Sequence, residues 1–148
     1  MRNSLLLLLL IPWIAQAEVT ASVMQDVKLK LQEASGQTFP IFQILDDDYP
    51  NARANINSRQ IQVNRGMLLL AETPDELAGV IAHEMCHIIN NSPNEYDADT
   101  CGKELGLKAG YSKHGMAKMY RKLAETQNWS EDNGAHPPWS QRVKFWEK

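Results

Sequence analysis

The stretch Thr73-Pro74-Asp75-Glu76-Leu77-Ala78-Gly79-Val80-Ile81-Ala82-His83-Glu84-Met85-Cys86-His87-Ile88-Ile89 decides the reading of this chain. Thr73 suits the N-cap of a helix, Pro74 the first helical position, and Glu76 closes a capping box. Leu77, Val80, Ile81, His83, Glu84 and His87 then recur at helical spacing, and Asn90-Asn91-Ser92-Pro93 stops the run. Inside it lies His83-Glu84-Met85-Cys86-His87, an HExxH pattern. Two His at i and i+4 share one helix face, so their imidazoles converge on one metal ion. Imidazole suits Zn²⁺, and a catalytic zinc keeps a position for water, whose pKa it lowers to about 7. Glu84 stands beside the first His and reads as general base, then general acid. Ionisable side chains among Val80, Ile81, Ile88 and Ile89 need partners, which argues against a chance match.

Such a zinc requires a third protein ligand. Metzincins place it after a Gly downstream of HExxH, but Pro93 follows here and no such Gly exists. Glu95, at the start of the next helix just past a tight turn, is the first candidate; Asp97 and Asp99 are rivals on spacing alone. Glu95 closing a capping box with Ser92 is the plain structural alternative.

Outward from this centre, the chain reads as α+β. Val19 to Ala34 has helical periodicity in Val23, Val27, Leu31 and Ala34, ended by Ser35-Gly36. Phe39 to Leu45 is a strand, and Ala52 to Ile56 with Arg59 to Val63 form a hairpin around Asn57-Ser58. Met67 to Leu70 is a short helix. Helices follow HExxH to about Leu105, where Gly106 to Gly110 breaks the chain, then from Ser112 to about Thr126. Asn133 to Pro138 is a loop, and Trp139 to Trp146 a last short helix. The expected architecture is a small antiparallel sheet packed on helices.

The N-terminus differs. Arg2, the apolar run from Leu5 to Ile11, and Ala15-Gln16-Ala17 have the layout of a secretory signal peptide over residues 1–17. The apolar run is shorter than the about 20 residues of a transmembrane span. A retained signal anchor is the alternative, and contact of the mature chain with a membrane stays open. The expectation is an exported protein, periplasmic or secreted, with one domain over residues 18–148. Cys86 and Cys101 would then sit in an oxidising space, as a disulfide or as two buried thiols. A net charge of −3 with no basic run argues against nucleic acid. His114 on a Lys-rich helix reads as a surface His, and Asp46-Asp47-Asp48 as a solvated loop. Trp129, Trp139 and Trp146 are core or cleft aromatics.

Several further motifs occur in a fixed order. They are Asn51-Ala52-Arg53-Ala54, then Ile61 to Leu68, then Asp75 to Glu84, then Glu95-Tyr96-Asp97-Ala98-Asp99, then His136-Pro137-Pro138-Trp139-Ser140-Gln141-Arg142-Val143. Together they resemble the HtpX and BepA type of gluzincin metallopeptidase, a group that includes CAAX prenyl proteases and Oma-type proteases. The likeness covers roughly Phe39 to Trp146. It implies a zincin-like fold, one Zn²⁺ per chain on His83, His87 and Glu95, and Asp99 orienting a ligand His through its ring N–H. It implies that His136 approaches the metal, as transition-state stabiliser or resting-state ligand, and that Arg142 points to the cleft and pairs with a carboxylate. Asn51, Ala52, Arg53 and Ala54 would be the cleft-edge strand that takes an extended polypeptide by strand addition. Larger members carry a long insertion between HExxH and ExxAD; here Ile88 to Asn94 alone intervene, which implies a more open cleft.

The resulting expectation is an exported zinc endopeptidase acting on polypeptides, with envelope protein quality control as a role. Two alternatives stand beside it. One is a zinc-containing, non-catalytic, chaperone-like binding module. The other is a latent peptidase held shut by His136 or by the N-terminal helix.

Overall fold

The computed structural model describes residues 13–129 and 136–148. Its centre is the helix α3 (Pro74–Ile89). The start is as the sequence demands: Thr73 Oγ1 accepts from Glu76 N at 3.3 Å, with Pro74 in the first turn. The Glu76 carboxylate reaches one residue beyond the cap, accepting from Glu72 N at 2.7 Å. Amphipathic by its spacing, α3 is in fact buried continuously from Glu76 to Ile88. A helix apolar or paired on every side belongs in the core, and here other elements cover each face.

The helix α1 (Trp13–Ser35) lays Met24, Val27 and Leu31 into the core against one side of α3. It begins earlier than the periodicity suggests, inside the stretch with the layout of a leader. Residues 1–12 of that leader lie outside the described residues. Three strands follow, β1 (Ile41–Leu45), β2 (Ala52–Asn55) and β3 (Gln60–Asn64), in the order β1-β3-β2. The β2–β3 hairpin is antiparallel, pairing Ala52 with Val63 and Ala54 with Ile61. The sheet is not antiparallel throughout, as expected, but mixed: β1 runs parallel to β3, with Phe42 opposite Ile61 and Ile44 opposite Val63. The reason is where β1 docks. Joined to β2 by a loop, it pairs on the far side of β3 and so shares β3's direction. β3 is thus central, with Ile61 and Val63 fully buried. The opposite face carries an amide ladder, in which Gln43 Oε1 accepts from Gln60 at 2.7 Å and Gln62 at 3.0 Å. Among the described residues, β2 is left at the edge with one neighbour.

The short helix α2 (Arg65–Leu70) follows; its Arg65 pairs with Asp46 and Asp48 of the acidic loop, which is exposed to solvent as expected. The helix α4 (Glu95–Lys108) is capped by Asn94, whose side chain accepts from Tyr96 N and Asp97 N. Ser92 does not form the box with Glu95; its Oγ accepts from Asn94 N at 3.1 Å. α4 passes through Gly106 instead of ending there, and the missing Cβ at Gly106 makes room for the Met116 side chain of α5. The helix α5 (Lys113–Thr126) packs on α3, and the helix α6 (Trp139–Glu147) packs on α5. Cys86 of α3 and Cys101 of α4 form a disulfide, with Cα atoms 5.8 Å apart. No described helix is long and apolar enough to cross a membrane.

Candidate metal centre

α3 presents His83, Glu84 and His87 on the side that faces α4 and a cavity. A five-residue turn, Asn90 to Asn94, brings Glu95 back as the first residue of α4. α4 lies unusually close: a Cβ on Gly102 would stand 2.8 Å from His83 N and 2.9 Å from His83 Cα. Only glycine permits that approach, and it sets Asp99 and Glu95 at the depth of the His side chains.

His83 Nε2 lies 3.1 Å from His87 Nε2. Glu95 Oε2 lies 3.2 Å from His83 Nε2, and Glu95 Oε1 3.3 Å from His87 Nε2. A tetrahedral zinc with bonds of about 2.0–2.1 Å separates its ligand atoms by about 3.3 Å. The two Nε2 atoms and the Glu95 carboxylate, which meets each ring through a different oxygen, are therefore spaced as the ligands on one face of such a tetrahedron require, with one ligand atom from each residue within 4.8 Å of the others. The tautomers agree. His83 Nδ1 donates to Asp99 Oδ1 at 2.8 Å, and His87 Nδ1 donates to the Ser92 carbonyl at 2.9 Å. Each ring then turns a lone pair on Nε2 toward the common point. Glu95 Oε2 is buried and makes no well-formed hydrogen bond although His136 Nδ1 and His83 Nε2 approach it at 2.8 and 3.2 Å, which suits an acceptor to a cation. The residues fit a zinc ion.

The electrostatics point the same way. Burial opposes charge on His83, but Asp99 and Glu95 outweigh it and raise its pKa to about 9. Burial likewise opposes charge on His87, and Glu95 and the Ser92 carbonyl push its pKa up. Burial works against ionisation of Glu95, yet His136, His83 and His87 hold it well below the usual carboxylate range. The site is built to hold positive charge between its imidazoles and its carboxylate.

Asp99 is the hub behind the ligands. Beyond His83, its Oδ1 accepts from Arg142 Nη2 at 2.6 Å and Trp146 Nε1 at 3.2 Å, and its Oδ2 accepts from Arg142 Nε at 2.9 Å. Against the cost of burial, His83 and Arg142 bring its pKa to about 2. Arg142 is held by α6 between two rings, 5.0 Å from the Tyr120 centroid and 5.4 Å from that of Trp139. Tyr120 in turn stacks on Trp146 at 4.2 Å. The carboxylate that Arg142 pairs with is thus Asp99, while its Nη2 stands 3.8 Å from Glu95 Oε2.

A cavity of about 180 Å³ opens beside this cluster. His83 and Glu84 line it from α3, and Asn51 and Ala52 from the chain entering edge strand β2. His136 and Arg142 line it from the C-terminal segment, with His136 Nδ1 2.8 Å from Glu95 Oε2. Arg53 is exposed and bonds Gln62 Oε1 at 2.7 Å; Ala54 continues the edge. Asp97 is exposed at the α4 N-terminus, away from the triangle, and His114 is exposed beside Lys113 and Lys118. Trp139 lines the cavity, Trp146 is fully buried, and Trp129 is exposed.

Sequence reasoning missed two parts. The Ser92 carbonyl is backbone and leaves no side-chain signal. Tyr120 had one: Met116, Ala117, Tyr120, Leu123 and Ala124 recur at helical spacing on α5, the stripe that marks a buried helix face, and all are buried. The sequence model of peptidase family M48 matches residues 15–94. That match takes in both His of the triangle, Glu84, the whole sheet and the turn that leads to Glu95, and it spans more than half of the chain. Sequence and geometry therefore converge, and the chain belongs to peptidase family M48, a family of zinc-dependent peptidases.

Proposed function

We propose that this protein is an exported zinc metalloendopeptidase of the HtpX and BepA kind, cleaving extended polypeptides, with envelope protein quality control as its setting. The observation that carries the reading is the triangle of His83 Nε2, His87 Nε2 and Glu95 beside Glu84, at a cavity bordered by an unpaired strand edge. Zinc, when bound, supplies Lewis acidity that makes water a nucleophile near neutral pH. Glu84 takes the water's proton on its carboxylate and delivers it to the leaving amine. The outer edge of β2 receives the substrate backbone by strand pairing, which holds the scissile carbonyl over the triangle. Arg142 donates to Asp99 through Nε and Nη2, so it fixes that carboxylate and lends its charge to the wall. His136 is the side chain placed to donate to the developing oxyanion.

The test is bound metal by elemental analysis with casein cleavage on the same samples, comparing wild type, Glu84→Gln and Glu95→Gln. The reading requires about one zinc per wild-type chain, cleavage abolished in Glu84→Gln with zinc retained, and both lost in Glu95→Gln. Wild type without zinc under metal-replete conditions would falsify it. A latent form of the same enzyme has one observation in its favour, the 2.8 Å approach of His136 Nδ1 to Glu95 Oε2. In that case His136→Ala cleaves faster than wild type.

A further inference from the structure

The arm that carries His136 is built to hold a position. His136-Pro137-Pro138-Trp139 contains two consecutive prolines. Each ring fixes its own φ and restricts the residue before it, so His136, Pro137 and Pro138 share little backbone freedom. Pro138 is extended, at φ −50° and ψ 138°, and its carbonyl accepts from Gln141 N at 3.0 Å and Arg142 N at 3.1 Å. The prolines therefore run straight into the first turn of α6, and where that turn is fixed, His136 follows.

The first turn is tied to two other helices by side chains outside the triangle. Trp139 Nε1 donates to Gln127 Oε1 at 3.0 Å, at the C-cap of α5. Tyr96 Oη, on the residue after Glu95, donates to Gln141 Oε1 at 3.2 Å. Burial ranks the two ties. Trp139 is 9% exposed and Gln127 half-buried, so an indole N–H without its acceptor has little water to turn to. Tyr96 is 60% exposed, and water competes for its hydroxyl. Farther along α6, Arg142 and Trp146 anchor the body of the helix on Asp99. The two ties set its first turn.

We infer that Gln127 and Tyr96 are positioning residues that hold the His136 ring beside Glu95, Gln127 through the Trp139 indole and Tyr96 through Gln141. The inference rests on the peptidase reading and adds to it how the His136 arm is aimed. It covers His136 as oxyanion donor and as a brake alike, since both need the ring near Glu95 Oε2, where it stands at 2.8 Å. A group displaced by about 1 Å loses much of its effect on a reaction.

The test reads ring position and turnover separately. The NMR signal of the His136 ring is identified by its absence in His136→Ala. In metal-free protein it is expected to shift in Gln127→Leu and to shift less in Tyr96→Phe. It should stay close to its wild-type place in Gln127→Glu, whose carboxylate still accepts from the indole, while the His114 signal moves in none of them. On casein with zinc-loaded protein, Gln127→Leu should change kcat about tenfold in the direction that His136→Ala takes, with KM altered by about twofold or less. Tyr96→Phe should change kcat about twofold, the worth of one exposed hydrogen bond. Combined with His136→Ala, Gln127→Leu should add nothing, because it acts through the ring already removed. An unmoved His136 signal in Gln127→Leu, a Gln127→Glu that behaves as Gln127→Leu, or an additive effect in the His136→Ala background overturns the inference. If wild type does not cleave casein, the peptidase reading falls and the ring signal alone decides the positioning.

Discussion

The helix pair α3–α4 and the three-stranded sheet meet at the same cavity but are built on opposite terms. α3 is buried from Glu76 to Ile88, pressed against α4 at the glycine contact of His83 with Gly102 and tied to it by Cys86–Cys101. Among the described residues β2 has a single neighbour, and its Arg53 and Asn55 are exposed. On the proposed reading, the half that holds a metal within tenths of an ångström is over-determined, while the half that accepts a chain from outside is left incomplete. Packing is dense where ligand geometry cannot drift and sparse where a strand must still pair, because an edge that is already paired cannot pair again.

The sharpest way to break this contrast is at the metal. Glu95→Gln removes an anionic ligand from between two imidazoles. Zinc affinity, measured by competition with a chromophoric chelator, is expected to fall by more than the about 10–100-fold that loss of an outer partner costs. The sheet should be unaffected, with far-ultraviolet circular dichroism unchanged.

The next is at the staple. Replacing both Cys86 and Cys101 with Ala, across a sequence separation of 15, should lower stability in urea unfolding by about 3 kcal/mol. Because the bond joins the two ligand-bearing helices, zinc affinity should fall with it. A loss of stability with unchanged zinc affinity would mean that packing at Gly102 alone holds α4 in place.

The open half is probed by Ala54→Pro. Asn51 bonds inward to β3, its carbonyl accepting from Asn64 N at 2.9 Å, so alternation turns the backbone groups of Ala52 and Ala54 outward. A proline is tolerated at such an edge but withdraws a donor from an incoming strand. KM for casein should rise about fivefold, the worth of one hydrogen bond, with zinc content unchanged.

The smallest expected effect is on acid stability. Burial pushes Glu76 up, but the Glu72 N–H, Lys122 and Lys118 pull its pKa below the ordinary 4.5. A carboxylate depressed in the folded state stabilises above its unfolded pKa, and that contribution is lost as pH falls through the folded value. Urea unfolding between pH 6 and pH 3 should therefore show an acid loss that is shallower in Glu76→Gln, by about 1 kcal/mol or less, the scale of one pKa unit.

How much could be read in advance differs between the same two regions. The start of α3 was legible because capping is local: Thr73, Pro74 and Glu76 act within one turn. The pairing of His83 with His87 was legible because helical geometry alone puts i and i+4 together. The β2–β3 hairpin was legible in its alternation and turn. The direction of β1 was not, since nothing in Ile41 to Leu45 records which edge of β3 it joins, and the expected antiparallel sheet proved mixed. Spacing left Glu95, Asp97 and Asp99 as rivals on one helix. The fold separates them, Glu95 toward both Nε2 atoms, Asp99 behind His83, Asp97 to solvent.

By itself, then, the sequence determined the parts whose partners lie within a few residues: the capped helix, its facing pair His83 and His87, Glu84 between them, and the hairpin. Tertiary structure decided what depends on distant segments meeting. It placed Glu95 in the triangle, brought Asp99 to Arg142 and Trp146 of α6, and left β2 with an open edge. The physical reason is range. Backbone hydrogen bonding and side-chain periodicity act over one or two turns and are written locally, whereas burial, close helix approach and strand order are properties of the assembled core.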